Sequence, residues 1–235
     1  MCRVAREETM IPQWSYSRLG CYERCPKQAE FKFIKKFKEP QHPAMERGKN
    51  IHQMCEDYIR GNLEKIPKEL ADFEDAFDLL KDLYLHGHVI CESDWAITTE
   101  WKKTGWFDED TWGRAKVDAF VYEEGLSKEA RVIDFKTGRY AGNQESHREQ
   151  CEFYGAVALN RYPELESIIT EMWYVDHGKI DRYVYTPQSI KFKQERIHNR
   201  AMAMTTATEF PAKPSRFGCK WCHFGKENMC REAIS

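Results

Sequence analysis

Two short segments carry residues whose types and spacing suit chemistry on a phosphate. "GRAKVDAFV" holds Asp118, and "RVIDFKTG" holds Asp134 and Lys136. On a strand, Asp134 and Lys136 project to one face while Ile133 and Phe135 take the other. Read as a hairpin with its turn symmetric about Leu126, the segments set Asp118 directly opposite Asp134, with Cβ atoms about 5 Å apart. A slip of one residue would destroy that meeting. Carboxylates this close repel, and one holds a proton unless a cation intervenes. Oxygen ligands on a rigid strand pair suit Mg²⁺ or Mn²⁺, which keep several waters and bridge to phosphate. Lys136 would then orient an attacking water or balance charge growing on the phosphate. The plain alternative is a solvated strand face with an incidental salt bridge.

Other elements must bring partners to this pair. A helix from Pro43 to Gly61 has the apolar stripe Ile51, Met54, Cys55, Tyr58 and Ile59, and His52 lies beside it, one turn after Gly48. An imidazole there suits a third metal ligand. The helix "HREQCEFYGAVALNRY" follows the second strand, and its Gln150 and Tyr154, spaced i, i+4, share one face. Before these, Ser15 or Ser17 caps a helix that Pro26 interrupts and that continues to about Glu39. A further helix spans "KELADFEDAFDLLKDLYLHG". Strands are expected in "VICESDWAITTEWKK", "TWGRAKVDAFVYEE" and "EARVIDFKTG", with a hairpin around His177-Gly178 and a closing helix in "QSIKFKQERIHNRAMAMTTATEF". The expected fold is α/β, a central mixed sheet flanked by helices.

In that order, His52 in "RGKNIH", Asp118, "Asp134-Phe-Lys136" and "Gln150-…-Tyr154" resemble the PD-(D/E)xK nuclease superfamily. The likeness is nearest to RecB-type nuclease domains, including CRISPR-associated nucleases of spacer acquisition and the exonuclease domains of helicase–nuclease complexes. It spans Ser15 to Cys230. The resemblance implies a restriction-endonuclease-like core in which His52, Asp118, Asp134 and the Phe135 carbonyl bind Mg²⁺ or Mn²⁺. It makes Lys136 catalytic beside Asp118 and Asp134, and has Gln150 and Tyr154 position the DNA strand. Glu100, on the preceding strand, is a candidate outer ligand.

Nine cysteines without a secretory signal point to thiols or metal rather than disulfides. Cys2, Cys55, Cys91 and Cys151 are scattered and read as small buried side chains. "CKWCHFGKENMC" is C-x₂-C-x₇-C, one thiolate short of a tetrahedral set. The resemblance supplies the fourth: "YERCP" matches the Cys-Pro of members that hold a 4Fe–4S cluster, which implies Cys25, Cys219, Cys222 and Cys230 as its ligands. Cys21 is an alternative to Cys25, and a structural Zn²⁺ completed by Cys25 or His223 is an alternative to the cluster. Such a centre clips the chain ends together. The expected organisation is therefore one nuclease domain with its core at about 40–210, and a Cys-stapled lobe formed by about 15–39 with 211–235.

Net charge is −2, so the chain is no generic polycation, and a nucleic acid must meet a local basic patch. Arg24, Lys27, Lys32, Lys35, Lys36 and Lys38 are interleaved with Phe31, Phe33 and Phe37. That stretch suits a rim for DNA, or simply an amphipathic helix. No apolar run spans a membrane, and the opening "MCRVAREETMIPQW" has no apolar leader, so a cytoplasmic protein of a bacterium or a phage-infected host is expected. The sequence has no G-x-x-x-x-G-K-[ST] loop. Rapid processing of duplex ends would then need a helicase partner to unwind them, and otherwise the chain is expected to cut single-stranded or frayed DNA unaided; the resemblance to CRISPR-associated nucleases implies an integrase as an alternative partner. The rival expectation is a DNA-binding subunit with a vestigial site.

Overall fold

Strands whose central residues are buried on both faces build a six-stranded sheet whose register decides which side chains meet. The computed structural model describes residues 10–234; most of the opening stretch read for a leader, with Cys2, lies outside them. Ser15 caps α1 (Tyr16–Arg24), its hydroxyl accepting from the Arg18 amide. Cys25 breaks the helix in an extended conformation, and Pro26 opens α2 (Pro26–Ala29), which widens into a π-helical turn at Glu30–Ile34. Helix was expected to about Glu39, but it ends at Ile34. Lys36 takes φ 55° and the Phe37 amide reaches back 2.9 Å to the Phe31 carbonyl, a left-handed helix stop.

His42 and Pro43 start α3 (Pro43–Ile59), which buries Ile51, Cys55, Tyr58 and Ile59 as its period predicts. A 3₁₀ turn (Lys68–Phe73) leads into α4 (Glu74–Leu85). The strands are β1 (Val89–Ile97), β2 (Lys103–Thr104), β3 (Gly113–Val121) and β4 (Glu129–Lys136). Next come α5 (Gln144–Arg161), β5 (Ser167–Tyr174), β6 (Lys179–Tyr185) and α6 (Pro187–Thr205). The last of these stops short of Phe210. It ends in threonines, weak helix formers, and the Thr206 hydroxyl binds the Met202 carbonyl at 2.8 Å. Two short helices in the tail, α7 (Arg216–Trp221) and α8 (His223–Lys226), had no signal in the sequence reading.

Strand order is β2-β1-β3-β4-β5-β6, with β4 and β5 parallel and every other pair antiparallel. A parallel pair needs a crossover, and α5 is that crossover. The expected α/β architecture, a mixed sheet flanked by helices, is the one observed. On one face, α3 and α4 cover Cys91, Ala119, Ile133, Phe135 and Trp173. There Phe77 meets Phe135 and Trp173 at ring separations of 5.5 and 5.4 Å. Each such fully buried ring contributes about 1.5–3 kcal/mol. On the other face, Trp95, Phe120 and Tyr162 form a second aromatic group.

The chain divides into two compact units, residues 41–196, and residues 1–40 together with 197–235. The second boundary lies within α6 rather than near residue 211, so the latter part of this helix belongs with the chain ends.

Candidate active site

The β3–β4 ladder pairs Val121 with Arg131, Phe120 with Val132, and Ala119 with Ile133, and main-chain pairing ends there. The next position in the same register is Asp118 opposite Asp134, the juxtaposition expected from a turn centred on Leu126. In place of a ladder bond, Asp118 Oδ2 accepts from the Phe135 amide at 2.7 Å. A strand residue points its N–H and C=O to the same side, so the Phe135 carbonyl faces the parted strand as well. Both carboxylates are buried, Asp118 at 9% and Asp134 at 4% exposure.

Side chains from both helix layers reach this parting. Lys136 Nζ lies 2.6 Å from Asp134 Oδ2 and donates to Gln150 Oε1 at 3.0 Å. Gln150 Nε2 donates to the Tyr154 hydroxyl at 2.7 Å and reaches Asp134 Oδ1 at 3.3 Å. The Tyr154 hydroxyl sits 2.8 Å from Asp134 Oδ1 and 3.0 Å from the Lys116 carbonyl. Gln150 and Tyr154 thus share a face, as their spacing implies, and that face turns inward. Tyr154 is 5% exposed and holds Asp134 rather than lying open to a strand of DNA. From α3, His52 Nδ1 comes within 3.2 Å of Asp118 Oδ1. The helix approaches closely because residue 48 is glycine: a Cβ there would stand 3.1 Å from Thr137 Oγ1.

Charge is unbalanced at this point. Burial, then the neighbouring Asp134 charge, pushes the Asp118 carboxyl above its ordinary range, and His52 offsets this only in part. Burial pulls the His52 imidazolium down, but the hydrogen bond and charge of Asp118, with Asp134 behind it, leave its pKa raised. Burial and both carboxylates drive the Tyr154 hydroxyl far up, so it stays a neutral donor. Asp134 Oδ2 is buried without a hydrogen bond, its Lys136 contact being an ion pair out of line for one. Two buried carboxylates beside an imidazole, with Asp134 Oδ2 engaged by Lys136 as an ion pair and not as a hydrogen bond, are a donor set for a hard divalent cation, so the residues fit one.

The structure does not bring Glu100 to this cluster. It lies in the turn beyond β1, where its carboxylate accepts from Thr98 and Thr99 hydroxyls at 2.9 and 2.7 Å. The β1 residue that does arrive is Glu92, which the sequence reading missed. Among the described residues, His52, Glu92 and Asp118 are the trio of His, Cys, Asp or Glu whose ligand atoms all lie within 4.8 Å of one another. Also unforeseen was the clamp behind Lys136. Asp176 accepts from the Gly138 amide at 2.6 Å and from both terminal nitrogens of Arg47 at 2.9 and 2.7 Å.

The second cysteine-bearing unit has its own cavity, about 260 Å³, lined by Cys25, Cys219, Cys222 and Cys230. Cys21 does not line it; that thiol is buried and pushed up chiefly by burial. No three of the four cavity sulfurs approach within 4.8 Å of one another. Cys25 Sγ accepts from the Lys213 amide at 3.4 Å. The phenylalanines of the basic stretch serve packing: Phe31 is buried against Phe37 and Phe224 at 5.7 and 5.0 Å. Several lysines there are already paired, Lys27 and Lys35 with Glu30 and Lys32 with Glu39. Cys55, Cys91 and Cys151 are buried free thiols, with the Cys91 pKa raised by burial to about 11 and Cys151 to about 12.

A family model described as the PD-(D/E)XK nuclease superfamily matches residues 13–231. A search of curated proteins finds no match. Among solved structures, a Eubacterium rectale protein designated a candidate exonuclease superposes with a TM-score of 0.52 at 13% identity, over 99% of this chain and 94% of that one. The protein SSO0001 gives a TM-score of 0.49 at 16% identity, over 98% of this chain and 90% of that one. Among the described residues no helix is long and apolar enough to cross a membrane.

Proposed function

This chain belongs to the PD-(D/E)XK nuclease superfamily, a family of phosphodiester hydrolases, and on that premise we propose that it is a Mg²⁺- or Mn²⁺-dependent deoxyribonuclease acting as an exonuclease on single-stranded or frayed DNA. The observation that carries the proposal is the complete cluster of Asp118, Asp134 and Lys136 at the parting of β3 and β4. His52, Asp118, Asp134 and the Phe135 carbonyl would hold the cation. When bound, it supplies Lewis-acid polarisation at the phosphate and relieves the repulsion between the carboxylates.

The chain's own residues do the rest. Gln150 and Tyr154 fix the rotamer of Asp134, and Gln150 aims the Lys136 ammonium. Lys136, with its side chain 21% exposed, is placed to orient an attacking water and to neutralise charge on the phosphate. Asp176 and Arg47 hold the segment that follows Lys136. The substrate in this reading is single-stranded or frayed DNA, which a helicase partner would open or an integrase partner would receive.

For the other unit we propose a 4Fe–4S cluster on Cys25, Cys219, Cys222 and Cys230, in a structural role. A single zinc at 2.3 Å from each sulfur draws them to about 3.8 Å from one another. The cavity of about 260 Å³ that the four cysteines line has room for the bulkier group.

The test is cleavage of end-labelled single-stranded DNA with Mn²⁺. Wild type degrades it, and Lys136→Ala is slower by on the order of 10²–10³-fold, as for loss of a charge-stabilising group. Intact DNA in both reactions defeats the enzyme reading.

A further inference from the structure

Three acidic residues lie in one row across adjacent strands. Cys91 pairs with Ala119 and Ser93 with Val117, which frames Glu92 on β1 against Asp118 on β3. Continuing the β3–β4 register sets Asp118 against Asp134. The row one step along is basic on two strands: Lys116 on β3, paired with Asp94, and Lys136 on β4. Each outer carboxylate is held by the lysine on that row. Lys136 Nζ is 2.6 Å from Asp134 Oδ2, and Lys116 Nζ is 2.6 Å from Glu92 Oε2. The two halves mirror each other about Asp118, yet only the Asp134–Lys136 half has a role in the proposed chemistry.

We propose that Glu92 is a further ligand of the metal centre, held in reserve by Lys116 and exchanged onto the cation when it binds. This rests on the metal-dependent reading above. Three features of Glu92 support it. Its ligand atom already lies within 4.8 Å of those of His52 and Asp118, a mixed imidazole–carboxylate set and not acidic crowding alone. Its present partner is weakly held, because the Lys116 side chain is 62% exposed and an ion pair at such a surface contributes little. Its backbone is also unusual: φ is +54° in the middle of a strand, where a side-chain-bearing residue is strained.

The exchange assigns Lys116 a task as well. Freed of Glu92, its ammonium would be available on β3, as that of Lys136 is on β4. The two lysines would then flank a phosphate group on the metal, each released by the carboxylate that the metal takes. The chemical class of ligand is thus a divalent cation carrying a phosphodiester.

Equilibrium Mn²⁺ binding without DNA, followed by electron paramagnetic resonance of the free ion, tests this apart from activity. Thermal melting confirms that each variant is folded. Glu92→Gln keeps the shape and the backbone and removes the charge. It is expected to weaken Mn²⁺ binding by at least about 10-fold. Lys116→Met is expected to tighten binding in the wild-type background and to do nothing in the Glu92→Gln background, because the lysine competes for the metal only through that carboxylate. Equal tightening in both backgrounds would mean that Lys116 acts as a distant charge, and the exchange is overturned. Wild-type affinity in Glu92→Gln, with Mn²⁺ lost in Asp118→Asn, overturns the role of Glu92 and leaves the metal-dependent reading intact. A wild-type protein that binds no Mn²⁺ overturns both.

Discussion

Tyr154 sets one hydroxyl against Asp134 Oδ1 and the Lys116 carbonyl while accepting from Gln150, all within 3.0 Å. Tyr154→Phe removes that hydroxyl without changing the ring. The buried acceptors left behind cost on the order of 1–3 kcal/mol, visible as a lower melting temperature. Asp134 also loses its orientation, so kcat is expected to fall about 10-fold or more while KM stays near wild type. A rise in KM at constant kcat would instead mean that Tyr154 touches DNA, the role that family resemblance implies. The i, i+4 spacing makes the pairing of Gln150 and Tyr154 legible in the sequence. Their inward direction was not legible, because it depends on how α5 lies over the parted end of β3 and β4. A single charged residue is harder still. Glu100 and Glu92 both sit near an expected strand, and no pattern within that segment tells which of them reaches the site.

At the scale of elements, Asp176 ties β5 to the end of β4 and to α3, the helix that carries His52. Its carboxyl is held below the ordinary range first by the Arg47 guanidinium, with the Gly138 amide adding to it against the cost of burial. A depressed folded-state pKa means the stabilisation is present above the unfolded value and is lost as pH falls through the folded one. Asp176→Asn is therefore expected to melt about 2–4 °C lower than wild type at neutral pH, corresponding to roughly 1 kcal/mol for a part-exposed bidentate pair. The gap should close when melting is repeated at pH values below the carboxylate range. A gap that persists there would assign the effect to packing. Register explains which elements were readable. The β3–β4 turn is short and symmetric, so counting outward from Leu126 finds Asp118 and Asp134. Between Ile97 and Gly113 the chain makes a longer excursion through β2, and no symmetry marks Glu92 as the partner of Asp118. Helix ends were overrun at Lys36 and Thr205 for a related reason: a left-handed stop at lysine and a threonine end carry weaker signals than glycine or proline.

For the whole molecule, sequence separation is the larger question, since Cys25 and Cys219 share a cavity although nearly the full chain lies between them. A group bound by all four cysteines closes that long loop and restricts the unfolded chain. By analogy with a covalent crosslink of comparable loop length, this is worth on the order of 3–5 kcal/mol. Protein purified without oxygen is expected to be brown, with about four irons per chain and little zinc, if a cubane fills the cavity. Cys25→Ala should lose both the colour and the iron, and melt roughly 10 °C lower. Cys21→Ala is the discriminating control, because it removes a buried thiol from the same unit without touching the cavity lining. It should stay brown and lose only the modest stability of a small packing defect. Iron retained by Cys25→Ala and lost by Cys21→Ala would reverse the ligand assignment. A colourless wild-type chain holding one zinc would replace the cluster with the smaller ion.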